Sequence, residues 1–313
     1  MIPRIIKNQV TNDLFQGKAI IITGPRQVGK TTLLESIRAE SGIKGVWLNC
    51  DEPDIRAQLE NVTSTQLKVL LGDARIAFID EAQRVKNIGL TLKLIVDNIK
   101  DLQVIATGSS ALELANEINE PLTGRKREYH LYPLSTEELV HASSKLDEQR
   151  LLDQRLIYGF YPDIINRPAQ AKTSLMELSD TYLYKDLLTL QEIRKPVLLE
   201  KLVTALALQV GSEVVYHEVA QTIGADSKTA ERYIQLLEKC FIIFQVSAYS
   251  RNLRNEIKKG KKIYFYDNGI RNAVIKNFNP LSLRQDTGIL WENFMMSERM
   301  ELFCNVVGII LSI

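Results

Sequence analysis

One eight-residue segment constrains the fold more than any other part of the sequence. Gly24–Thr31 reads GPRQVGKT and fits the pattern G-x-x-x-x-G-K-[ST], which wraps phosphate groups where it joins a strand to a helix. The run before it, Lys18–Thr23, is apolar and β-branched, and Thr31–Glu40 has a helical pattern. Because the required context is present on both sides, a phosphate-binding loop is favoured over an incidental glycine turn.

Each residue type in this loop has a chemical role in binding phosphate. Gly24 and Gly29 let the backbone curl around phosphate and present its N–H groups, and the positive end of the following helix faces the same anion. Lys30 adds a cation at the β- and γ-phosphates, and the Thr31 hydroxyl is a ligand for Mg²⁺. The predicted ATP-binding residues are Gly24, Pro25, Arg26, Gln27, Val28, Gly29, Lys30, Thr31 and Thr32.

Further strand-like runs follow at wide intervals and alternate with helical patterns. Near-continuous apolar runs are typical of parallel strands covered on both faces, so the alternation predicts an α/β fold with a parallel sheet between helices. This sheet is expected within residues 1–135. The runs are Gly45–Cys50, Arg75–Asp80, Gln103–Gly108 and His130–Ser135, and Ile88–Ile99 is one of the helical patterns between them.

Asp80 and Glu81 end one of these apolar runs. A carboxylate at the end of a parallel strand can hold Mg²⁺ through water, as predicted for Asp80, and Glu81 is placed to accept a proton from an attacking water. The alternative for Glu81 is a solvated acid at a helix start. Behind a phosphate loop, the catalytic interpretation is favoured.

Hydroxyl and basic side chains complete the predicted site. Thr107 and Ser109 end the next strand, where a hydroxyl could sense the γ-phosphate, although helix capping explains Ser109 equally well. Arg125, in a basic cluster, could reach a phosphate in cis or in a neighbouring subunit, or lie in a solvated loop. The predicted catalytic residues are Lys30, Glu81, Ser109 and Arg125, and the predicted metal ligands are Thr31 and Asp80.

Helical patterns replace the strands after about Pro133. Residues 136–196 are predicted as a helical lid or linker, with helices over Thr136–Arg155 and Ala169–Glu192. A capping-box pattern, Ser135-x-x-Glu138, opens the first of them. Residues 271–313 are predicted as the remnant of a further domain.

Residues 197–270 read helix, turn, helix and two strands around a basic segment, which suggests a winged helix. The segment Arg251–Lys262 has six basic residues and one acid, so DNA contact through phosphates is one interpretation. A solvated loop or a protein partner is the other, and Glu231 and Glu238 would repel phosphate. The possible DNA contacts are Lys228, Arg232, Arg251, Arg254, Lys258, Lys259, Lys261 and Lys262, and Tyr233 is expected to face the same groove.

Composition excludes several other classes of protein. The net charge is +1, from 39 basic and 38 acidic residues, so the chain has no overall basic field for nucleic acid. Three widely spaced cysteines form no zinc or disulfide pattern, which favours a reducing cytoplasm. No apolar run approaches the roughly 20 residues that cross a membrane, and no signal peptide is expected.

The motifs GPRQVGKTTL, FIDEAQ, TGSSALEL, LTGR and YPLSTEEL, in this order, resemble those of prokaryotic AAA-type ATPases that bear an uncharacterised C-terminal domain. The resemblance implies a P-loop NTPase sheet in which the sensor strand lies between the Walker A and Walker B strands. It also implies ATP and Mg²⁺, with a sensor hydroxyl at Ser109 or Thr107. Such relatives usually continue into a nuclease-like segment, which is not recognisable here before the apolar run Val306–Ile313, so no nuclease activity is expected.

Three functional hypotheses follow. The first is a Mg²⁺-dependent ATPase that couples hydrolysis to a conformational change and acts on DNA or a protein partner. The second is a nucleotide-gated binding module with little or no turnover. A kinase is the third, although the pair Asp80 and Glu81 favours activation of water. A homo-oligomer is possible, and no membrane partner is expected.

Overall fold

The computed structural model describes residues 2–108, 118, 121–181, 195–247 and 261–307, with side chains as far as residue 302 in the last range. These residues form two compact units, residues 2–131 and Tyr132–Val307. The predicted division into four parts at residues 135, 196 and 270 stays a prediction.

The first unit is built on a five-stranded parallel sheet. Its strand order is β2-β3-β4-β1-β5, and every neighbouring pair is parallel. The α/β fold with a parallel sheet is therefore confirmed, and β4 lies between β1 and β3, as the resemblance implied. The strands are β1 (Ala19–Thr23), β2 (Gly45–Asn49), β3 (Ile76–Asp80), β4 (Gln103–Gly108) and β5 (Lys126–His130).

The predicted position of the fifth strand was wrong. His130–Ser135 was expected to form it, whereas β5 comprises Lys126–His130. Among the described strands, β5 pairs with β1 alone, and it is largely half-buried. Such a strand tolerates polar residues, and its sequence KREYH has no apolar pattern. Pro133 has no N–H group to donate to a ladder, which disfavours a central strand over the predicted range.

Helices cover both faces of this sheet. Successive residues of β1 point to opposite faces, so Ile20 and Ile22 pack in one apolar cluster with the first two helices, and Ile21 packs in the other cluster. The helices are α1 (Ile6–Asn12), α2 (Lys30–Ser41), α3 (Pro53–Leu59), α4 (Ser64–Leu71) and α5 (Ile88–Asn98). Packing on both faces holds the central strands in place, and the candidate site lies at the carboxyl ends of these strands.

The second unit is mainly helical, with a small antiparallel sheet of order β6-β8-β7. Its helices are α6 (Thr136–Ala142), α7 (Lys145–Arg150), α8 (Leu152–Tyr158), α9 (Pro162–Asn166), α10 (Ala171–Ser179), α11 (Pro196–Leu208), α12 (Tyr216–Ile223), α13 (Ser227–Lys239), α14 (Asn268–Val274) and α15 (Thr287–Val307). Its strands are β6 (Glu213–Val214), β7 (Ile243–Ser247) and β8 (Lys261–Phe265).

The single helix predicted over Thr136–Arg155 was also wrong, because three helices occupy this range and extend past it to Tyr158. Ser143 leaves helical geometry, with φ −131° and ψ −107°, and the Ser144 hydroxyl accepts a hydrogen bond from the Asp147 N–H and so starts α7. The predicted capping box at Ser135 and Glu138 is confirmed, with both of its hydrogen bonds at 3.2 Å. The helix predicted over Ala169–Glu192 includes α10, and its part from residue 182 onwards lies outside the described residues.

A helix–turn–helix is formed by α12 and α13. Gly224 makes the turn with a left-handed φ of +75°, and Asp226 caps α13 by accepting a hydrogen bond from the Thr229 N–H at 2.9 Å. Tyr233 was expected to face a groove, but it is 1% exposed and its hydroxyl accepts a hydrogen bond from the Lys195 N–H at 3.3 Å. Its ring therefore belongs to the core of the unit.

A buried carboxylate joins two segments of the second unit. Asp267 is 3% exposed and accepts hydrogen bonds from the Phe160 N–H at 2.7 Å and the Ile270 N–H at 3.0 Å. Burial raises its pKa to about 6, although its backbone hydrogen bonds act in the opposite direction. A Cβ atom on Gly159 would lie 2.2 Å from this carboxylate, so only glycine fits there.

Within the described ranges, no helix combines the length and the apolar character that crossing a membrane requires. The helical backbone of α15 includes Val306 and Val307. The rest of the apolar run predicted as a strand or a remnant, residues 308–313, lies outside the described residues.

Candidate nucleotide site

The phosphate loop leaves β1 and leads directly into α2. Gly24 is needed here because of close packing, since a Cβ atom on it would lie 2.1 Å from the carbonyl oxygen of Leu131. Gly29 has a φ of +98°, a left-handed geometry that glycine adopts without strain. No side chain in the described part of the chain caps α2 at Gly29, so the N–H groups of its first turn point to the space where an anion can bind.

Lys30 is folded back onto the loop. Its Nζ atom donates hydrogen bonds to the carbonyl oxygens of Gly24 at 2.9 Å and Pro25 at 2.8 Å, and the residue is 5% exposed. Burial lowers the pKa of Lys30 to about 8, and the Glu81 and Asp80 carboxylates partly offset this effect. The ammonium group is thus held at the loop by carbonyl oxygens, which phosphate oxygens can replace.

The other predicted loop residues differ in exposure. Val28 is buried, Arg26 is half-buried, and Gln27 and Thr32 are exposed. Arg4, a residue that the sequence analysis missed, donates a hydrogen bond from its guanidinium group to the Val28 carbonyl oxygen at 2.8 Å. It lies before the first helix, far from the motif in sequence, so no local pattern could identify it.

The ends of β3, β4 and the start of α2 meet at one carboxylate. The Thr31 hydroxyl donates to one oxygen of Asp80 at 2.8 Å, and the Thr107 hydroxyl donates to the other. Asp80 is 5% exposed and Thr107 is 0% exposed. The two predicted metal ligands are therefore adjacent. The structure also brings Thr107, one of the two sensor alternatives, to the same point.

Glu81 has an unusual backbone conformation for a residue with a side chain, with φ 53° and ψ 42°. Its N–H group donates to the Thr107 hydroxyl at 3.1 Å. The Gln83 side-chain amide donates to its Oε2 atom at 2.5 Å. A left-handed conformation of a non-glycine residue costs roughly 1–3 kcal/mol of folding free energy, and it persists only where surrounding contacts hold the backbone in place.

A role for Arg125 in cis is contradicted by the sheet register. Thr23, next to the loop, pairs with His130, and Ala19 pairs with Lys126. Arg125 thus precedes β5 at the opposite edge of the sheet, a whole strand away from the loop, and its side chain pairs with Asp97 at 2.7 Å. A contact in trans stays a prediction. Ser109 lies outside the described residues.

The residues predicted to contact DNA fall into three groups. Lys228 and Arg232 are exposed on α13, and Lys261 is half-buried at the start of β8. Lys262 is exposed, but its Nζ atom lies 3.2 Å from the Glu292 carboxylate. The remaining four, Arg251, Arg254, Lys258 and Lys259, lie outside the described residues.

The donor set at Asp80 fits a magnesium ion. The Thr31 hydroxyl and the Asp80 carboxylate supply hard oxygen ligands beside the phosphate loop, and Mg²⁺ is typically bound by one or two protein oxygens together with substrate phosphates. The described residues contain no cluster of three or more histidine, cysteine or acidic side chains that could hold a metal. An ion at this position would therefore depend on nucleotide oxygens and water for its other ligands.

Curated relatives cover most of this chain at low identity. A protein of Haemophilus influenzae is 25% identical over 281 aligned positions, which cover 82% of this chain and 68% of that protein. A protein of Mycobacterium tuberculosis is 25% identical over 294 aligned positions, which cover 91% of this chain and 63% of that protein. A protein of Methanocaldococcus jannaschii is 22% identical over 351 aligned positions, or 98% and 73%. All three are described as uncharacterised, and the chain spans about two thirds of the length of these relatives.

Two family models match separate parts of the chain. Residues 149–281 match a domain of unknown function, a description that supports neither the winged-helix nor the nuclease-like part of the resemblance. Residues 16–140 match an AAA domain, and this range contains the phosphate loop, Asp80, Glu81 and Thr107. The match and the parallel sheet together support an AAA-type, P-loop ATPase-like family for this part of the chain.

Proposed function

We propose that the chain binds ATP with Mg²⁺ and hydrolyses it, and that the change in nucleotide state drives a conformational change. One arrangement carries this proposal: the Asp80 carboxylate joins the Thr31 hydroxyl of the loop to Thr107, which in turn holds the backbone of Glu81. A metal-side carboxylate, a sensor hydroxyl and a general base thus meet beside a phosphate loop, as ATP hydrolysis requires.

Binding uses groups that are already in place. The N–H groups at the start of α2 face the phosphates, and Lys30 exchanges the carbonyl oxygens of Gly24 and Pro25 for phosphate oxygens. Arg4 also holds the loop, through its hydrogen bond to the Val28 carbonyl oxygen. The loop conformation is therefore fixed by the protein before the nucleotide arrives, which lowers the entropic cost of binding.

Hydrolysis requires a base for one water molecule. When bound, Mg²⁺ neutralises charge on the β- and γ-phosphates. The Glu81 carboxylate accepts a proton from water while the water oxygen attacks the γ-phosphorus. The bond from this phosphorus to the β–γ bridging oxygen breaks, and its electron pair leaves with ADP. The products are ADP and phosphate, and Glu81 returns the proton to solvent.

Steady-state release of phosphate from ATP tests this proposal, with and without Mg²⁺. We expect hydrolysis in the wild-type chain that requires Mg²⁺ and that Lys30→Ala abolishes, because the lysine binds the transferred charge. Lys68→Ala, which removes an exposed cation on α4 away from the loop, is the control and should leave hydrolysis unchanged. Tight ATP binding with no turnover in the wild-type chain would favour the alternative, a nucleotide-gated binding module.

A contact with DNA is a second candidate, because α13 presents a mostly basic surface. Lys228, Arg232 and Lys239 are exposed on it, against one exposed acid, Glu231. The helix–turn–helix followed by β7 and β8 has the element order of a winged helix, so we propose that α13 contacts phosphates. A protein partner is the alternative occupant of this surface.

Binding of a labelled DNA duplex, followed by fluorescence anisotropy at several salt concentrations, tests this second candidate. Lys228→Ala/Arg232→Ala should weaken binding and lower the slope of log K against log salt by about 2, one unit for each lost phosphate contact. The exposed pair Lys145→Ala/Arg150→Ala on α7 is the control. Equal affinity in both variants and the wild type would contradict DNA contact by α13.

A further inference from the structure

The carboxylate of Glu81 has a hydrogen-bond partner two residues away in the chain. The Gln83 Nε2 atom donates to Glu81 Oε2 at 2.5 Å, and the Gln83 side chain is half-buried. A hydrogen bond to a charged group is stronger than one between neutral groups. The orientation of the Glu81 side chain is therefore restrained by Gln83.

The turn that carries Gln83 is itself firmly anchored. Ala82 and Val85 are 0% and 1% exposed, and the Arg84 N–H donates to the Glu81 carbonyl oxygen at 3.0 Å. The Arg84 side chain also pairs with Asp51, with 2.7 Å between the nitrogen and oxygen atoms. The Gln83 amide is thus presented from a fixed backbone, as a positioning group needs to be.

The backbone of Glu81 is fixed independently of its side chain. Its left-handed conformation and the hydrogen bond from its N–H to Thr107 set the direction of the Cα–Cβ bond. The rotamers about χ1 to χ3 are still free to vary, because a glutamate side chain has several low-energy states. The hydrogen bond from the Gln83 amide, in contrast, acts on the carboxylate itself.

We propose that Gln83 is a positioning residue, whose side-chain amide holds the Glu81 carboxylate in the orientation in which it accepts the proton of the attacking water. The inference rests on the proposed ATPase function. Glutamine suits this role because its amide donates a hydrogen bond and does not titrate, so it orients the base without competing for the proton.

Gln83→Met tests this role, because methionine has a similar length and no donor. We expect kcat for ATP hydrolysis to fall about 10-fold or more, the effect of losing one hydrogen bond to a charged group. KM for ATP and the Kd of a non-hydrolysable ATP analogue should stay within twofold of the wild type, because Glu81 is predicted to act on the attacking water and not on the nucleotide. Lys86→Met, an exposed change just beyond the same turn, is the control.

A double-mutant cycle separates positioning from a structural effect. If Gln83 acts through Glu81, adding Gln83→Met to Glu81→Gln should leave the residual single-turnover rate unchanged. Gln83→Ala repeats the test in case the methionine variant unfolds, and thermal melting of each variant checks folding. A rate for Gln83→Met equal to or above the wild-type rate would overturn the inference, and so would an equal loss in the Glu81→Gln background.

The outcome for Gln83 is distinguishable from the outcome for the proposed function. Hydrolysis that is lost in Glu81→Gln but normal in Gln83→Met would leave the ATPase function standing and overturn only the positioning role. A wild-type rate no greater than that of Lys30→Ala would overturn the proposed function and, with it, this inference.

Discussion

The Thr107 hydroxyl donates a hydrogen bond to the buried Asp80 carboxylate while it accepts one from the N–H of Glu81. One hydroxyl at the end of β4 therefore connects the predicted magnesium ligand to the predicted general base. The Asp80 carboxylate and the backbone of Glu81 therefore share this oxygen atom as a hydrogen-bond partner.

Thr107→Val should separate these two groups without a change of volume. The valine removes the donor to one oxygen of Asp80, whose other oxygen keeps the Thr31 hydroxyl, and it removes the acceptor of the Glu81 N–H. Each buried polar group that loses its partner costs about 1–3 kcal/mol. We expect kcat to fall at least about 10-fold, with a smaller effect on ATP affinity. Phosphate-release assays measure the first quantity, and Thr107→Ser, which keeps the hydroxyl, should retain most of the activity.

Gly24→Ala should disrupt the loop for a steric reason. The new Cβ atom would lie 2.1 Å from the Leu131 carbonyl oxygen, so the backbone after β1 or β5 has to move. We expect a loss of unfolding free energy of about 1–3 kcal/mol and a large loss of ATP affinity, measured by urea unfolding and by calorimetry. Gly288→Ala is the control and should be neutral, because its Cβ atom would meet no atom of the described residues within 4 Å beyond its own helix backbone and chain neighbours.

The affinity for ATP should depend on pH through Lys30. Its pKa is lowered to about 8 by burial, so the lysine of the free protein loses its proton, and its attraction for phosphate, as the pH rises above about 8. The Kd of a non-hydrolysable ATP analogue should be constant from pH 7 to 7.5 and rise steadily towards pH 9.5. The Lys30→Met variant should bind the analogue weakly at every pH. An equally steep rise of its Kd with pH would contradict the role of Lys30.

The stability of the second unit should depend on pH through Asp267. Its folded-state pKa of about 6 lies above the ordinary value of 3.8, so the folded state binds the proton more tightly than the unfolded state. The contribution of this group to stability is therefore greatest below pH 4 and is lost between about pH 4 and 6, with a total of up to about 3 kcal/mol.

Asp267→Asn removes this titration. As the pH rises from about 4 to 6, the unfolding free energy of the wild type should therefore fall relative to that of the variant. Asparagine also has one acceptor oxygen fewer for the N–H groups of Phe160 and Ile270, so the variant should be less stable at low pH. Urea unfolding at several pH values measures both effects. Parallel curves for the two proteins would show that Asp267 does not titrate in this way.

The sequence was sufficient to predict the residues that define the site locally. Gly24–Thr31 and the pair Asp80 and Glu81 follow buried apolar strands, and such strands carry a strong signal. Parallel strands bring these ends to one edge of the sheet, so their proximity followed from the fold class. The half-exposed edge strand β5 has no apolar pattern, and its position could not be derived in the same way.

The residues that the sequence analysis missed act over long distances or through side-chain orientation. Arg4 reaches the loop from 24 positions away in the chain, and the contact between Gln83 and Glu81 depends on rotamers that no periodicity encodes. Arg125 was considered as a phosphate contact, in cis or in a neighbouring subunit, because it belongs to a basic cluster. A residue that precedes a parallel strand lies at the amino edge of the sheet, opposite the phosphate loop, and a basic pattern alone does not encode this position.

The fate of ATP bound to Glu81→Gln, compared with the wild-type chain, tests the central claim most directly. Both proteins are incubated with Mg²⁺ and radiolabelled ATP, and the bound nucleotide is separated and identified. We expect the wild type to contain ADP after turnover, whereas Glu81→Gln should retain intact ATP with similar affinity, because only the base is lost. Equal conversion of ATP to ADP by the two proteins would contradict the assignment of Glu81 as the base at this site.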